Sequence, residues 1–589
     1  MTTAAPSWPH CGEGAAPGGP FAGCTGITVT ATGRCLRHAE ISERDAYLAS
    51  LAPGADLDLR GTTVGPTLLS RILTVTTDPT ADRPTIGTAR FDSATFTGSA
   101  QFRAATFTGW ALFDSATFTG SAGFESATFT EPAGFRAATF AGWAWFDSAT
   151  FTQGGWFDSA TFIGDARFSR ATFTGPAQFG WATFIGDAMF ASTTFAETAW
   201  FESATFAADT SFVSAVFEDA WALGPLVCAG AVELSGAVFK AAVTVEIVAR
   251  QVLFDRTRWA QPATVRLRYA DVDLSDTVAE YSVTVAARTR PFKSSSGSPV
   301  DESVLSGAPD STDSVRVRSL RGVDAAQLVL TDVNLGRCLF AGAIHLDQLR
   351  LEGDCRFPGT PGGVHRQGRL LPVRHTRRLV LAEEHHWRHS LPRAVPGWQT
   401  PPTGADILQP RAMAAIYRAL RKAHEDSSNE PGAADFYYGE MGMRRADPRT
   451  PRAERGLLTA YWALSGYGLR ATRALAWLLL AMTGTMLVMT LWGLPQHDTS
   501  ILSTGTLTGQ RITLTTDNPE PQNPTGPLGD RLTTGRFEKS LRVVVNSVIF
   551  RASGQDLTTA GTYTEMASRL TEPILLGLAA LAVRGRIKR

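Results

Sequence analysis

The sequence predicts an all-β solenoid of stacked coils followed by an α-helical membrane module, and three observations carry that expectation. From Phe91 to Phe217 phenylalanine recurs at spacings that alternate strictly between five and six, 24 times without a break. A small residue stands two positions before each one, as Ala94 before Phe96 and Ala100 before Phe102. Far downstream, Ala474 to Leu494 is an unbroken run with no charge.

An 11-residue repeat fits neither helical nor simple strand periodicity. Short strands joined by tight corners do fit it. Residues two apart in a strand share a face, so Ala94 and Phe96 point inward while Thr95 and Thr97 point outward. One such element buries too little to stand alone, and stacking coil on coil buries a continuous aromatic column. The sixth-residue spacing leaves one extra position per unit: Ser99, Trp110, Ser121, Pro132, Trp143, Gly154, Asp165, Pro176, Asp187, Thr198 and Asp209. Most are turn formers suited to an outward corner.

These units resemble pentapeptide repeats, in which a small residue, any residue, Leu or Phe and two more residues recur. The resemblance extends over the chain as a whole to membrane-anchored, actinobacterial-type members. It implies a right-handed quadrilateral β-helix with about four elements per coil. Two 11-residue units then make one coil, giving about six coils and roughly 30 Å for the ladder at one strand spacing each. The match is specific for fold and says little about activity.

Leucine-based versions of the pattern flank the ladder at 55–61, 232–236, 271–275 and 328–351, so one solenoid is expected over 55–357, after an N-terminal cap at 1–54. The Ser-, Pro-, Asp- and Gly-rich stretch at about 293–313 reads as a disordered insertion. A helical connector follows at 358–460, then a membrane module at 461–589.

The chain has 55 basic and 55 acidic residues, which gives no global case for nucleic acid as a partner. Residues 91–219 hold 13 acidic and 4 basic residues. Some pentapeptide-repeat proteins imitate DNA and bind topoisomerases, but no clean acidic stripe forms: one face shows Asp92, Asp114, Arg136 and Asp158, the opposite one Arg103, Glu125, Asp147 and Ser169. Thr106/Thr108, Thr128/Thr130, Thr150/Thr152 and Thr172/Thr174 form an outward ladder that β-propensity explains.

The first span, about 474–494, is long enough to cross a bilayer. Arg444, Arg445, Arg449, Arg452, Arg455, Arg470 and Arg473 precede it and set that side in the cytoplasm. The opening residues carry no basic region followed by an apolar run, which agrees. A second span, about 564–583, ends in Arg584, Arg586, Lys588 and Arg589, so both termini are expected inside. Glu565, Arg569 and Glu572 sit in its first half, where packing inside an oligomer is the preferred reading.

Between the spans, Leu541 to Phe550 reads as a short apolar helix, followed by a polar turn. This order resembles the two-span pore module of tetrameric cation channels, and the Asn429 to Glu440 stretch resembles the connector of pentapeptide-repeat proteins that carry such pores. Ser553, Gly554, Gln555 and Asp556 would line the pore, yet they depart from a potassium filter, whose backbone carbonyls replace water around the ion. A degenerate pore serving as an anchor is the preferred reading.

No phosphate loop, dinucleotide fingerprint or nucleophile elbow is present. Cys11, Cys24, Cys35 and His38 offer a Cys3His set that a structural zinc accepts. The alternative is a set of reduced, buried thiols. No other cofactor is expected. Cys228, Cys338 and Cys355 read as small buried hydrophobes. The cluster Glu383-Glu384-His385-His386-Trp387-Arg388-His389 lacks the His-Glu-x-x-His order of a zinc protease, and reads as a solvated amphipathic helix near Arg374, Arg377 and Arg378. The expectation is therefore a membrane-tethered scaffold without catalysis, in contact with the lipid bilayer and with a protein partner on the solenoid surface. Its rival is a homo-oligomer that conducts or gates ions, with the solenoid as cytoplasmic sensor.

Overall fold

The computed structural model describes residues 6–15, 23–305, 314–363, 365–366, 372–373, 375–392, 394–496, 502–517, 520–549 and 551–587. They form two units, one of 1–408 with 418–429, the other of 409–417 with 430–589.

In the first unit the ladder strands are very short, with one side chain inward and one outward, as in Thr95–Phe96 and Ala100–Gln101. Each pairs in parallel with the strand two repeat units further on. Ala89 faces Ala111, Thr95 faces Thr117, Ala100 faces Ala122 and Thr106 faces Thr128. Those four columns are the four faces of the coil, numbered here in that order. The solenoid makes about 12 turns. Its start carries helices α1 (Ile41–Ala49) and α2 (Pro66–Val75), and a hairpin of Thr77–Asp78 and Arg83–Ile86 that leads into the fourth face.

All 24 ladder phenylalanines are at most 1% exposed. Beyond Phe91, which is tilted 44° against Phe113, rings one coil apart lie near parallel, as Phe113 and Phe135 do at 4.9 Å and 0°. That spacing is the strand separation itself, so the stack is offset, the favoured arrangement. Rings half a coil apart meet edge-on, as Phe113 and Phe124 do at 5.5 Å and 83°. Burying each ring contributes about 1.5–3 kcal/mol, so the ladder dominates the energetics of these coils. One corner per 11-residue unit needs left-handed backbone. From Ser93 to Ser214 twelve non-glycine residues occupy it, Ser159 at φ 58° among them.

Beyond Phe217 the architecture changes. Strands Ala222–Glu233 and Val243–Leu253 are long enough to run through the second and third faces together. The coil is shorter here, with Val243 facing Ala263 and Ala263 facing Val283. Val, Leu and Ile replace most of the rings, and the aromatic column ends as Phe239 on Phe217 and Trp259 on Phe239.

Within the stretch at 293–313, expected from sequence to be a disordered insertion, residues 293–305 are described and ordered. Its described part folds back, with Phe292, Val300 and Leu305 packed on Val227 and Val248. Glu302 pairs with the buried Arg268 at 2.8 Å. Three apolar anchors in a Ser- and Gly-rich sequence suffice to hold it, and composition hides them. Residues 306–313, Arg374, Phe550, Lys588 and Arg589 lie outside the described residues. Cys228 and Cys338 are buried, whereas Cys355 is only partly covered.

The C-terminal end of the solenoid carries α3 (Ala382–His389). Helix α4 (Pro410–Asp426) contributes residues to both units. The second unit continues with α5 (Glu430–Ala446), α6 (Arg452–Ser465), α7 (Ala471–Val488, prolonged by a π turn at Met489–Gly493), α8 (Thr534–Val548) and α9 (Thr559–Ile587). Helices α7 to α9 pack together, and a hairpin of Leu502–Thr508 and Arg511–Asp517 follows α7. Two segments are long and apolar enough to cross a membrane, Ala471–Gly493 and Thr559–Val583.

Candidate functional site

Cys11, Cys24, Cys35 and His38 converge at the start of the solenoid. Cys11 and Cys24 lie on opposed arms held by Cys11 N–H to Gly26 O (2.8 Å) and Gly12 N–H to Cys24 O (2.9 Å). Cys35 and His38 share one turn, where the His38 amide donates to Cys35 O at 3.0 Å. Gly26 lets the arm pass, since a Cβ there would stand 2.9 Å from Cys35 Cβ. The arms explain how irregular gaps in sequence become one cluster in space.

The ligand atoms are spaced as a tetrahedral site requires. Cys11 Sγ lies 3.5 Å from His38 Nδ1, Cys35 Sγ 3.6 Å from the same nitrogen, and Cys24 Sγ 3.7 Å from Cys35 Sγ. All four lie within 4.8 Å of one another. A tetrahedron with metal–sulfur bonds of about 2.3 Å and a metal–nitrogen bond of about 2.0 Å has edges of roughly 3.5–3.8 Å. Burial pushes the Cys35 thiol up to about 12, so a thiolate there needs a cation beside it. The set can hold a metal ion.

The second titratable cluster is not the solvated helix expected from sequence. On α3, Glu383, Glu384 and His385 are all buried, and only His389 is exposed. Glu384 accepts two hydrogen bonds from Arg378 and one from Arg388 at 2.7 Å. Glu383 accepts from the Phe340 amide, and His385 rests edge-on against Trp398 and accepts from the Gln399 amide at 3.3 Å. The charges face inward because they close the last coil, whose unpaired edge would otherwise be open. His385 and His389 do not converge, and no metal set forms here among the described residues.

Ser553, Gly554, Gln555 and Asp556 lie in the loop between α8 and α9, with Gly554 at φ 63°. The Ser553 amide donates to Glu565 on α9 at 2.7 Å. Glu572 is fully buried within this one chain and accepts from Thr485 on α7 at 2.9 Å, so it needs no oligomer to cover it. Two hydroxyl pairs, Thr490–Ser540 and Ser547–Ser568, both 2.9 Å, join α7 to α8 and α8 to α9. Sequence reading missed this polar spine, since isolated Ser and Thr in apolar helices carry no visible partner. Gly561 also packs on Gly493 so closely that a Cβ would meet its carbonyl oxygen at 2.2 Å.

Short parallel strands on four faces, a ringed interior and a coil of two repeat units define a four-sided β-solenoid, here joined to a helical unit with two long apolar helices. The family model of pentapeptide repeats matches at residues 113–161 and 157–205, so the phenylalanine ladder of this solenoid is built of pentapeptide repeats. No curated protein and no solved structure matches the chain.

Proposed function

We propose that this chain is a membrane-tethered interaction scaffold, with the solenoid as its working surface and no catalytic role. The observation that carries the tether is the outer side of the helical unit. Leu479 and Leu480 on α7 and Met566, Leu570 and Leu581 on α9 are each more than half exposed, a load of apolar surface that lipid accommodates and water does not. Both termini lie on the cytoplasmic side in this reading, following the arginines before the first span. The test is flotation of the expressed chain with lipid vesicles after alkaline washing. Recovery in the soluble fraction would overturn the tether.

Cys11, Cys24 and Cys35 through Sγ, with His38 through Nδ1, would hold one zinc ion as a structural clasp. Four protein ligands leave no open position for substrate.

A second reading, an oligomeric ion pathway, is favoured by one observation: Glu565 pins the Ser553 amide, fixing a loop between two apolar helices as a filter would be fixed. Ion flux into liposomes, compared between wild type, Asp556→Ala and Gly554→Leu, tests it. Flux lost in both variants would make the pathway the primary function.

A further inference from the structure

The outer surface of the first face is aromatic to an unusual degree. Trp110, Trp181 and Trp221 are 46%, 50% and 57% exposed, and Trp156 and Trp200 lie half-buried on the strands Gly155–Trp156 and Ala199–Trp200. Trp110 meets Trp156 edge-on at 5.9 Å, and Trp200 meets Trp221 at 5.9 Å. Tryptophan is enriched among the residues that dominate protein interfaces, and exposed aromatic patches mark contact sites.

One side chain of the protein already demonstrates what this face receives. The Arg136 guanidinium lies 4.1 Å above the Trp156 ring and 3.7 Å from both Asp114 and Asp158. Ring, two carboxylates and a planar cation combine stacking with charge pairing, a geometry suited to arginine.

The same seat recurs two coils on without its arginine. The register carries Trp156 through Gln178 to Trp200. The equivalents of Asp114 and Asp158 are Asp158 and Glu202, and in place of Arg136 stands Gly180. A Cβ built there would lie 3.1 Å from Asp158 Oδ1 and 3.6 Å from Trp200 Cδ1. A side chain at 180 would thus start out between carboxylate and indole. Glu202 is 5% exposed and accepts from the Ser295 amide, so Asp158 is the accessible carboxylate of this seat. Around it, 91–219 holds 13 acidic against 4 basic residues.

We propose that the first face docks an arginine-bearing peptide segment of a partner, one guanidinium settling on Trp200 beside Asp158 as Arg136 settles on Trp156. The proposal rests on the scaffold reading and names the chemistry of its partner. Charge complementarity selects a basic segment, and the indole selects arginine over lysine.

The test is a tryptophan-fluorescence titration of the detergent-solubilised full chain with a synthetic peptide of alternating arginine and glycine, beside its lysine counterpart. Detergent separates this result from the tether, which flotation tests alone. Saturable binding is expected, weaker for the lysine peptide. Gly180→Arg fills the seat from within, and Trp200→Ala removes its wall. Each should weaken binding about tenfold, whereas Trp143→Ala on the third-face side should leave it unchanged. Circular dichroism of the β-solenoid confirms that each variant is folded. Equal affinity across all variants would mean diffuse charge attraction, and it overturns the proposal. So would the absence of saturable binding, or saturation by self-association of the chain alone.

Discussion

The two ends of the solenoid solve one problem with different chemistry. A stack of parallel coils leaves an unpaired edge at each end, and an open edge templates aggregation. At the N-terminal end the arms bearing Cys11 and Cys24 cover the first coil, where the Ile27 amide donates to Arg60 O at 2.8 Å, and four soft ligands gather behind them. At the C-terminal end α3 supplies carboxylates, Glu383 to the Phe340 amide and Glu384 to Arg378. With the zinc proposed above, the first closure would answer to metal and the second to protons, while the phenylalanine interior between them would answer to neither.

Loss of the proposed zinc should have the largest effect. Purified protein is expected to carry one zinc per chain, and Cys35→Ser or a strong chelator should release on the order of 10 kcal/mol of binding free energy from the cap. Elemental analysis reads the stoichiometry. Amide exchange at Ile27 should accelerate while exchange along α3 stays unchanged. Simultaneous loosening of both ends would break the comparison.

Next comes Glu384→Gln. Arg378 and Glu384 are 3% and 0% exposed at the side chain, and removing one partner of a buried pair costs about 3–5 kcal/mol. Exchange on α3 reads this, with the N-terminal cap unaffected.

The third prediction concerns pH. Burial raises the Glu383 carboxyl to about 7, against hydrogen bonds from the Phe340 and Ala341 amides and the charge of Arg321. Its folded value lies above its unfolded one. Its stabilising contribution is therefore full below about 4.5 and is lost as pH rises through about 7. Glu383→Gln keeps the acceptor and removes the titration. The variant should gain about 3 kcal/mol relative to wild type between those limits. The difference cancels His385 and His424, which burial lowers to about 4 and which act in the opposite sense. A flat difference curve would show that Glu383 titrates normally.

The smallest effect belongs to the corners of the ladder between the two ends. Ser159 sits at φ 58°, and Ser159→Gly relieves left-handed strain at the cost of chain entropy, for a net gain of at most about 1 kcal/mol. Thermal unfolding at several pH values, with and without chelator, should give the same shift each time.

The ladder was legible because its period is carried by one residue type, so register, faces and coil length all follow from counting rings. The Cys3His set was legible in ligand type but not in spacing, since its geometry depends on arms that turn back through Gly23 and Gly26. Helix α3 misled because Glu, His and Arg read as solvent-facing until the coil they cover is known. The loop after Phe292 misled through composition. Of the first-face tryptophans the sequence reading singled out only Trp110, as a corner residue, and their grouping emerges when equivalent positions of successive coils are placed side by side.

The constant coil length of the ladder has a consequence for how such a chain can vary. Removing or copying twenty-two consecutive codons within the ladder shortens or lengthens the rod by one strand spacing, about 4.8 Å, and returns every remaining side chain to its own wall. An eleven-codon change keeps the ring column intact but carries everything beyond it to the opposite wall, dividing one recognition surface between two sides. Length is therefore free to drift in whole coils, whereas half-coil changes stay folded and rewrite what the surface presents.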